Sequence, residues 1–230
     1  MQLQDFRSMG SDIQNLLRLE HPPVAISFTN EAPTGMKKTN DKVPSGCVFW
    51  FKAFKDSFYT TREDHANCNI GSFTHGYVKP SEVSLDSCAD INLMVGAEYL
   101  SLNDFGGVAR MQDASKYVVY GPLKSANFEP DVVLMVCNAE QSMLMAEAAG
   151  SYKTMGLPTC QAIPHAYNTN EVAVSLGCIT NRVRTGMKPN EMVVTVPNKN
   201  LGSFVQSLRK RVAVNNKVAQ AVSAMLKQKK

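Results

Sequence analysis

The sequence has no long apolar run, which bears first on membrane association. A stretch of about 18 apolar residues would predict a membrane-spanning helix, and none occurs. The N-terminus, MQLQDFRSMGSDIQNLL, also lacks the basic-then-apolar order of a secretory signal. We therefore predict a cytoplasmic protein without a membrane span.

Strong charge imbalance is missing as well. The chain has 24 Lys and Arg against 20 Asp and Glu, a net charge of +4, and concentrates basic residues only at 209–211 and 227–230. This distribution gives little support to nucleic-acid binding, so no nucleic-acid partner is expected. With 230 residues, 44% of them hydrophobic, the chain can bury a large core without disulfides.

Several short motifs are absent. The sequence contains no glycine-rich phosphate loop, no G-x-S-x-G elbow and no H-E-x-x-H. A papain-like pair of Cys68 and His165 lacks every local signature of those proteases. No C-x-x-C pair occurs either, so the local signatures of zinc ribbons and ferredoxins are missing. Any metal site must therefore be assembled from distant segments.

What the chain does have is six cysteines, at positions 47, 68, 88, 137, 160 and 178. In a long chain without an export signal we expect reduced thiols. Cys88 and Cys137 lie in apolar periodic segments and are predicted to be core residues, because a buried free thiol behaves as a small hydrophobe. Cys160 follows Leu-Pro-Thr in a segment, 157–163, that we predict to be extended.

Short apolar runs and helical periodicities alternate along the second half of the chain. Strands are predicted at 24–29, 58–61, 117–120, 132–136, 172–176 and 191–196. Helices are predicted at 3–19, from about 47, from 80, and at 138–152, 178–186 and 201–214. This order predicts a mixed α/β or α+β fold, with a mixed sheet and flanking helices.

We expect one compact domain over residues 1–230. A faint echo between 1–115 and 116–214, each with a strand and a Gly-Cys step, allows two similar packed halves. A C-terminal helix is predicted at 215–230, with Val218, Val222, Met225 and Leu226 on one side. That side is expected to pack on the body, and a membrane-surface or partner role is the alternative.

The segment 60–76, TTREDHANCNIGSFTHG, has the composition of a functional site. Cys68 lies three residues after His65 and seven before His75, among glycines and polar residues that suit neither a helix nor a strand. The two histidines could supply a metal ligand or donate protons, with Asp64 orienting one imidazole. Alternatively, the two imidazoles only form hydrogen bonds with the backbone of the loop.

Three cysteines have glycine-flanked, loop or helix-starting settings: Cys47 in Ser-Gly-Cys, Cys68, and Cys178 in Leu-Gly-Cys. Backbone amides can approach sulfur at such positions and stabilise thiolate charge. Thiolates select zinc, cuprous copper or iron–sulfur clusters. Arg182, and also Arg62, could hold an anionic substrate group, with ordinary ion pairing as the alternative.

Two segments carry a family resemblance: 64–76, DHANCNIGSFTHG, and 175–182, SLGCITNR. They resemble the uncharacterised prokaryotic domain-of-unknown-function family 169, and the likeness extends over nearly the whole chain. It implies that Cys47, Cys68 and Cys178 match cysteines of the family pattern, alongside His65, His75 and Arg182. In that pattern glycine often stands where this chain has Thr180.

The sequence thus favours an iron–sulfur protein with a [4Fe–4S]-type cluster on Cys47, Cys68 and Cys178. The fourth position is left open or goes to His65, His75 or Cys160. Such a protein would be an enzyme that uses an open iron on a small molecule, with His65, His75 and Arg182 as catalytic residues, or would transfer electrons to a redox partner. A zinc site on the same thiols is one alternative, and a non-enzymatic small-ligand or partner-binding module, monomeric or homo-oligomeric, is another.

Overall fold

The computed structural model describes residues 2–82 and 89–228, and its framework is one mixed sheet. Within those residues the sheet has eight strands in the order β2-β3-β4-β1-β5-β8-β7-β6. The strands are β1 (Val24–Thr29), β2 (Lys37–Lys38), β3 (Phe58–Thr60), β4 (Tyr117–Pro122), β5 (Val132–Asn138), β6 (Tyr152–Met155), β7 (Val172–Ser175) and β8 (Glu191–Pro197). Neighbours are antiparallel except at the two edges, where β2 pairs with β3 and β6 with β7 in parallel.

Eight α-helices accompany the sheet in the described ranges. They are α1 (Leu3–Leu17), α2 (Cys47–Lys52), α3 (Asn69–Thr74), α4 (Ala89–Gly96), α5 (Ala139–Ala149), α6 (Ala162–Thr169), α7 (Ile179–Thr185) and α8 (Asn198–Gln228). Helices α2, α3 and α7 are short and follow loops, while α1, α5 and α8 pack together.

Both faces of the sheet are covered, because its central strands carry apolar side chains on both faces. On β5, Val133 and Met135 face a core built with α1, α5 and α8. Leu134 and Val136 face the opposite core, which contains Trp50 of α2. A strand buried on both faces needs a continuous apolar run, and β5 has one in VVLMVC.

This architecture confirms the predicted fold class. The strands of 1–115 and 116–214 share one sheet, because β1 lies between β4 and β5. A common origin of the two halves stays a prediction. No helix in the described ranges is long and apolar enough to cross a membrane.

Two details differ from expectation. Residues 157–163 are not extended: the 3₁₀ turn Thr159–Gln161 leads into α6, and the Gln161 amide holds it by donating to the carbonyls of Gly156 and Leu157 at 3.2 and 2.8 Å. The predicted C-terminal helix is not separate either, because α8 runs unbroken from Asn198 to Gln228. The predicted core position of Cys88 lies outside the described residues.

Candidate metal centre

Four cysteines line one cavity of about 540 Å³: Cys47, Cys68, Cys160 and Cys178. Helix α2 packs against α7, and α3 lies beside the 3₁₀ turn Thr159–Gln161, so tertiary packing gathers four segments that are distant in sequence. The structure therefore brings together the three cysteines that the sequence singled out. It adds Cys160, which the sequence left as one of several candidates.

Each thiol stands where a helical segment starts. Cys47 is the first residue of α2, Cys68 and Cys178 are the N-caps of α3 and α7, and Cys160 lies in the turn that leads into α6. The first amides of a helix have no partner within the helix and are available to an anionic group. Local folding thus presents the four sulfur atoms together with backbone donors.

The Cys47 thiol interacts with Ser45 and is affected by two of the other cysteines. Its Sγ lies 2.9 Å from the hydroxyl of Ser45. Burial raises the pKa of Cys47 to about 12, against the lowering effect of the Ser45 hydrogen bond, and the charges of Cys68 and Cys178 raise it further. Mutual repulsion of this kind means that a thiolate cluster here needs a cationic centre to balance it.

Cys68 is fitted closely to the backbone of α3. The Gly71 amide donates to Cys68 Sγ at 3.2 Å. A Cβ at position 71 would lie 3.0 Å from that sulfur atom, closer than ordinary packing allows. Because residue 71 is a glycine, the sulfur atom of Cys68 has room to lie against the helix.

Cys178 is positioned by a loop that Arg182 fastens. The Arg182 guanidinium donates to the carbonyls of Leu176 at 2.6 Å and Glu191 at 2.9 Å, and also to that of Lys188. Gly177 has φ +89°, and a Cβ there would lie 2.8 Å from the guanidinium. Arg182 thus does not line the cavity, and its predicted catalytic role stays a prediction.

Cys160 lines the same cavity as the other three thiols. Burial raises its pKa well above the ordinary value, and the charges of Cys68, Cys178 and Cys47 raise it further. Each of the other three cysteines in the cavity therefore contributes to the raised pKa of Cys160. The sequence gave only a weak signal for it, a Pro-Thr pair that can begin a helical turn.

His75 lines the cavity and is held in one tautomer. Its Nδ1 donates to the Gly71 carbonyl at 2.8 Å, which leaves Nε2 to accept from the Tyr120 hydroxyl at 3.4 Å. Burial lowers the pKa of His75 from 6.5 to about 4. The imidazole is therefore neutral at physiological pH, and both its nitrogens are engaged.

His65 lies behind Gly46 and does not line the cavity. The Thr60 hydroxyl donates to the Val118 carbonyl, so it accepts from His65 Nε2 at 2.9 Å. His65 Nδ1 is buried without a hydrogen-bond partner among the described residues, 3.4 Å from where a Cβ on Gly46 would stand. Burial first, then the nearby His75, lowers the pKa of His65.

Asp64 does not orient an imidazole as expected. Its carboxylate accepts from the Thr61 amide at 2.7 Å and from the Thr61 hydroxyl at 3.0 Å, and lies 3.6 Å from Lys38. Thr60 orients His65 instead. Asp64 therefore caps the turn that leads into the site.

The rest of the cavity wall is mainly apolar. It extends from the thiols toward α4 and the following loop through Ile91, Met94, Tyr99, Leu100 and Val108. Arg184 also lines the cavity and donates to the Pro44 carbonyl at 3.1 Å. A volume of about 540 Å³ lies within the range of small-molecule sites.

The fold and the cavity define a class, a mixed α/β protein with four free cysteines around one cavity. Residues 12–207 match the family model DUF169, described as "Uncharacterised ArCR". The chain belongs to this family, which confirms the resemblance found in the sequence.

One relative is the "Uncharacterized protein MJ0308" of Methanocaldococcus jannaschii. It is 22% identical over 233 aligned positions, which cover 90% of this chain and 95% of that protein. Neither description states an activity or a ligand. No solved structure matches the chain.

Proposed function

We propose that this protein binds an iron–sulfur cluster of the [4Fe–4S] type, with Cys47, Cys68 and Cys178 as ligands. One observation carries the proposal: four thiols from separate segments line a single cavity. Soft thiolates select iron–sulfur clusters, zinc or cuprous copper. Burial, and to a lesser extent the neighbouring thiols, raise the pKa of Cys47 and Cys160, and bound iron would offset this by stabilising their thiolates.

A zinc ion and a polynuclear cluster need different spacings of their cysteine ligands. A tetrahedral zinc ion with Zn–S bonds of about 2.3 Å needs ligand sulfurs about 3.8 Å apart. No three His, Cys, Asp or Glu side chains in residues 2–82 and 89–228 are arranged to hold one metal ion. In a cuboid cluster each thiolate binds a different iron, so the sulfur ligands stand farther apart.

Cys160 is the best fourth ligand that the cavity offers. His75 uses both ring nitrogens in hydrogen bonds, and His65 does not line the cavity. Cys160 lines it, and the hydrogen bond of its thiol with the Thr74 side chain favours the thiolate form that a ligand needs. Ligation by four thiolates suits electron transfer, whereas an open iron suits Lewis-acid chemistry on a substrate.

We therefore favour a redox role in the cytoplasm, where thiols stay reduced. The partner would be a redox protein or a small molecule in the apolar part of the cavity. His75 and Tyr120 form a hydrogen-bonded pair beside that space.

The direct test is anaerobic reconstitution followed by quantification of iron, sulfide and zinc. We expect about four irons and four sulfides per chain, together with visible absorbance that bleaches on reduction. Zinc without sulfide would replace the proposal with the zinc alternative. A colourless protein without metal would leave the small-ligand module.

Cysteine variants sharpen the test because the chain offers a matched control. Cys47→Ser, Cys68→Ser and Cys178→Ser should each lose most of the iron. Cys137 is a buried free thiol on the opposite face of the sheet, where it donates to the Met192 carbonyl. Cys137→Ala should keep the full iron content, and equal iron in all four variants would contradict the proposal.

A further inference from the structure

The second half of α8 leaves the body of the protein. Leu201, Phe204 and Leu208 bury this helix against the core. From Asn216 to Lys227 every residue is exposed. The expectation that the apolar side of the C-terminal helix packs on the body is therefore wrong, because α8 continues past the last core residue it can reach.

The exposed part of α8 still has an apolar side. It consists of Val214, Val218, Val222, Met225 and Leu226, which are 48–63% exposed. At 100° per residue these five side chains fall within an arc of about 120°. Asn216, Lys217, Gln220, Ser223 and Lys227 occupy the opposite side. We call residues 213–228 the α8 tail.

The charge of this region has one sign. From position 198 to the end, the sequence has eight Lys and Arg and no Asp or Glu. Arg209 pairs with Asp12 of α1, which fastens the helix just before the tail begins. Arg209, Lys210 and Arg211 lie just before the tail, and Lys217 and Lys227 lie on its polar side.

By itself, a helical tail of this composition has few interactions that stabilise it. Isolated helices of about 12–15 residues are marginal in water, and most helical stability comes from packing an apolar face. The α8 tail has such a face and nothing among the described residues covers it. An external surface that covers the apolar side would therefore stabilise the helix.

Charge decides which surface fits. A second copy of this chain would bring basic tails together, and they would repel each other. A nucleic acid would attract the lysines but would gain nothing from five aliphatic side chains. An anionic bilayer surface satisfies both features, because amphipathic helices lie in the interface with aliphatic residues inserted and Lys or Arg against acidic headgroups.

We propose that the α8 tail lies on the surface of anionic lipid membranes and holds the protein there. The tail falls outside the stretch matched by the family, 12–207. The inference is independent of the cluster, since it depends only on the exposure, pattern and charge of the tail.

Vesicle co-sedimentation of the full chain tests the proposal. Vesicles of phosphatidylcholine alone are compared with vesicles that also contain phosphatidylserine, at low and high salt. We expect binding that requires the anionic lipid, weakens with salt, and is accompanied by increased helicity in circular dichroism. Equal sedimentation with neutral and anionic vesicles, or none with either, would overturn the proposal.

Two sets of substitutions separate the lipid surface from other partners. Val222→Ser with Leu226→Ser should reduce binding about tenfold or more, because both side chains would insert into the bilayer. Gln220→Ser, on the polar side, is the control and should change little. Since no described residue covers the apolar side of the tail, both variants should keep the wild-type melting temperature and iron content.

Two other outcomes would contradict the proposal. A dimer in light scattering that disappears in the serine variant would assign the apolar side to a second copy of the chain. Duplex DNA or RNA binding that the serine variant leaves unchanged, without vesicle binding, would assign the tail to nucleic acid.

Discussion

At the scale of single residues, the site depends on small groups that make room for sulfur. Gly71 both donates its amide to Cys68 and leaves space for that thiol. The helix backbone at position 71 accommodates alanine, so a substitution there tests the space alone. Any effect on metal content can then be separated from an effect on folding.

We expect Gly71→Ala to lower the iron content by half or more, because the new Cβ would lie 3.0 Å from Cys68 Sγ. The free energy of unfolding should change by less than about 1 kcal/mol, since the better helix propensity of alanine and the close contact with Cys68 act in opposite directions. The measurements are iron per chain after reconstitution and urea unfolding of the metal-free protein. Gly96→Ala is the control, because its Cβ would meet nothing within 4 Å.

The buried histidines make a prediction about acid stability. Unfolding returns the pKa of His75 from about 4 to its ordinary 6.5, so between these values the unfolded chain binds more protons than the folded one. Stability therefore falls as pH drops from 6.5 toward 4, by up to about 1.4 kcal/mol per pH unit for this group. His65 adds to the loss in the same direction.

His75→Gln should flatten this acid slope without abolishing it. Glutamine can still donate to the Gly71 carbonyl, while His65 keeps its share of the effect. Urea unfolding of the metal-free protein at several pH values measures the slope. An unchanged slope would mean that His75 is protonated in the folded protein.

Residue types also explain what the sequence could reveal of the site. The glycines near the cysteines were informative, because a Cβ at Gly46, Gly71 or Gly177 would come close to a neighbouring side-chain atom. Cys160 gave no comparable signal, because its place in the cavity depends on the turn that Gln161 holds. Arg182 stood out in the sequence, yet its guanidinium serves backbone carbonyls, which only the folded loop shows.

At the scale of elements, the loop between β7 and α7 presents Cys178. Arg182 fastens this loop to the residues around Lys188 and Glu191 through three carbonyls. The planar guanidinium can serve several acceptors at once, and an ammonium group does so with poorer geometry. The position of Cys178 should therefore depend on Arg182.

Arg182→Lys should lower the free energy of unfolding by about 1–3 kcal/mol, since carbonyls lose their donors. It should also reduce iron content without any contact between Arg182 and the metal. Arg211→Lys, on the exposed part of α8, is the matched control and should change neither quantity. Normal stability combined with lost iron would instead point to a direct role at the site.

The helices and strands also show how far the sequence alone predicts the fold. β5, β8 and the strand-helix pair of β5 and α5 follow from continuous apolar runs and a helical pattern. The division of α8 into two helices was wrong, because apolar residues recur throughout and no proline or glycine interrupts the stretch after Gly202. The free tail could not be foreseen, since an apolar side usually indicates packing on the body.

At the scale of the whole molecule, the cavity joins distant parts of the chain. Cys47 and Cys178 lie on α2 and the start of α7, which the sequence separates by more than half of its length. Local sequence patterns predicted the class of fold and singled out three of the four thiols that line the cavity. The strand order and the shared cavity arise from long-range packing, which no local pattern encodes.

Cluster binding should therefore stabilise the whole fold. A ligand that binds only the folded state raises stability by mass action. We expect the reconstituted protein to melt at a clearly higher temperature than the metal-free protein, measured anaerobically. Cys178→Ser should show no such increase in melting temperature, while Cys137→Ala should show it in full. An equal increase in both variants would mean that the stabilisation does not come from binding in the cavity.

We propose that four cysteine sulfurs surround one polynuclear iron centre. X-ray absorption at the iron edge of the anaerobically reconstituted protein tests this claim most directly. We expect a first shell of sulfur alone, together with scattering from neighbouring irons. A first shell of nitrogen or oxygen, or iron without iron neighbours, would contradict it.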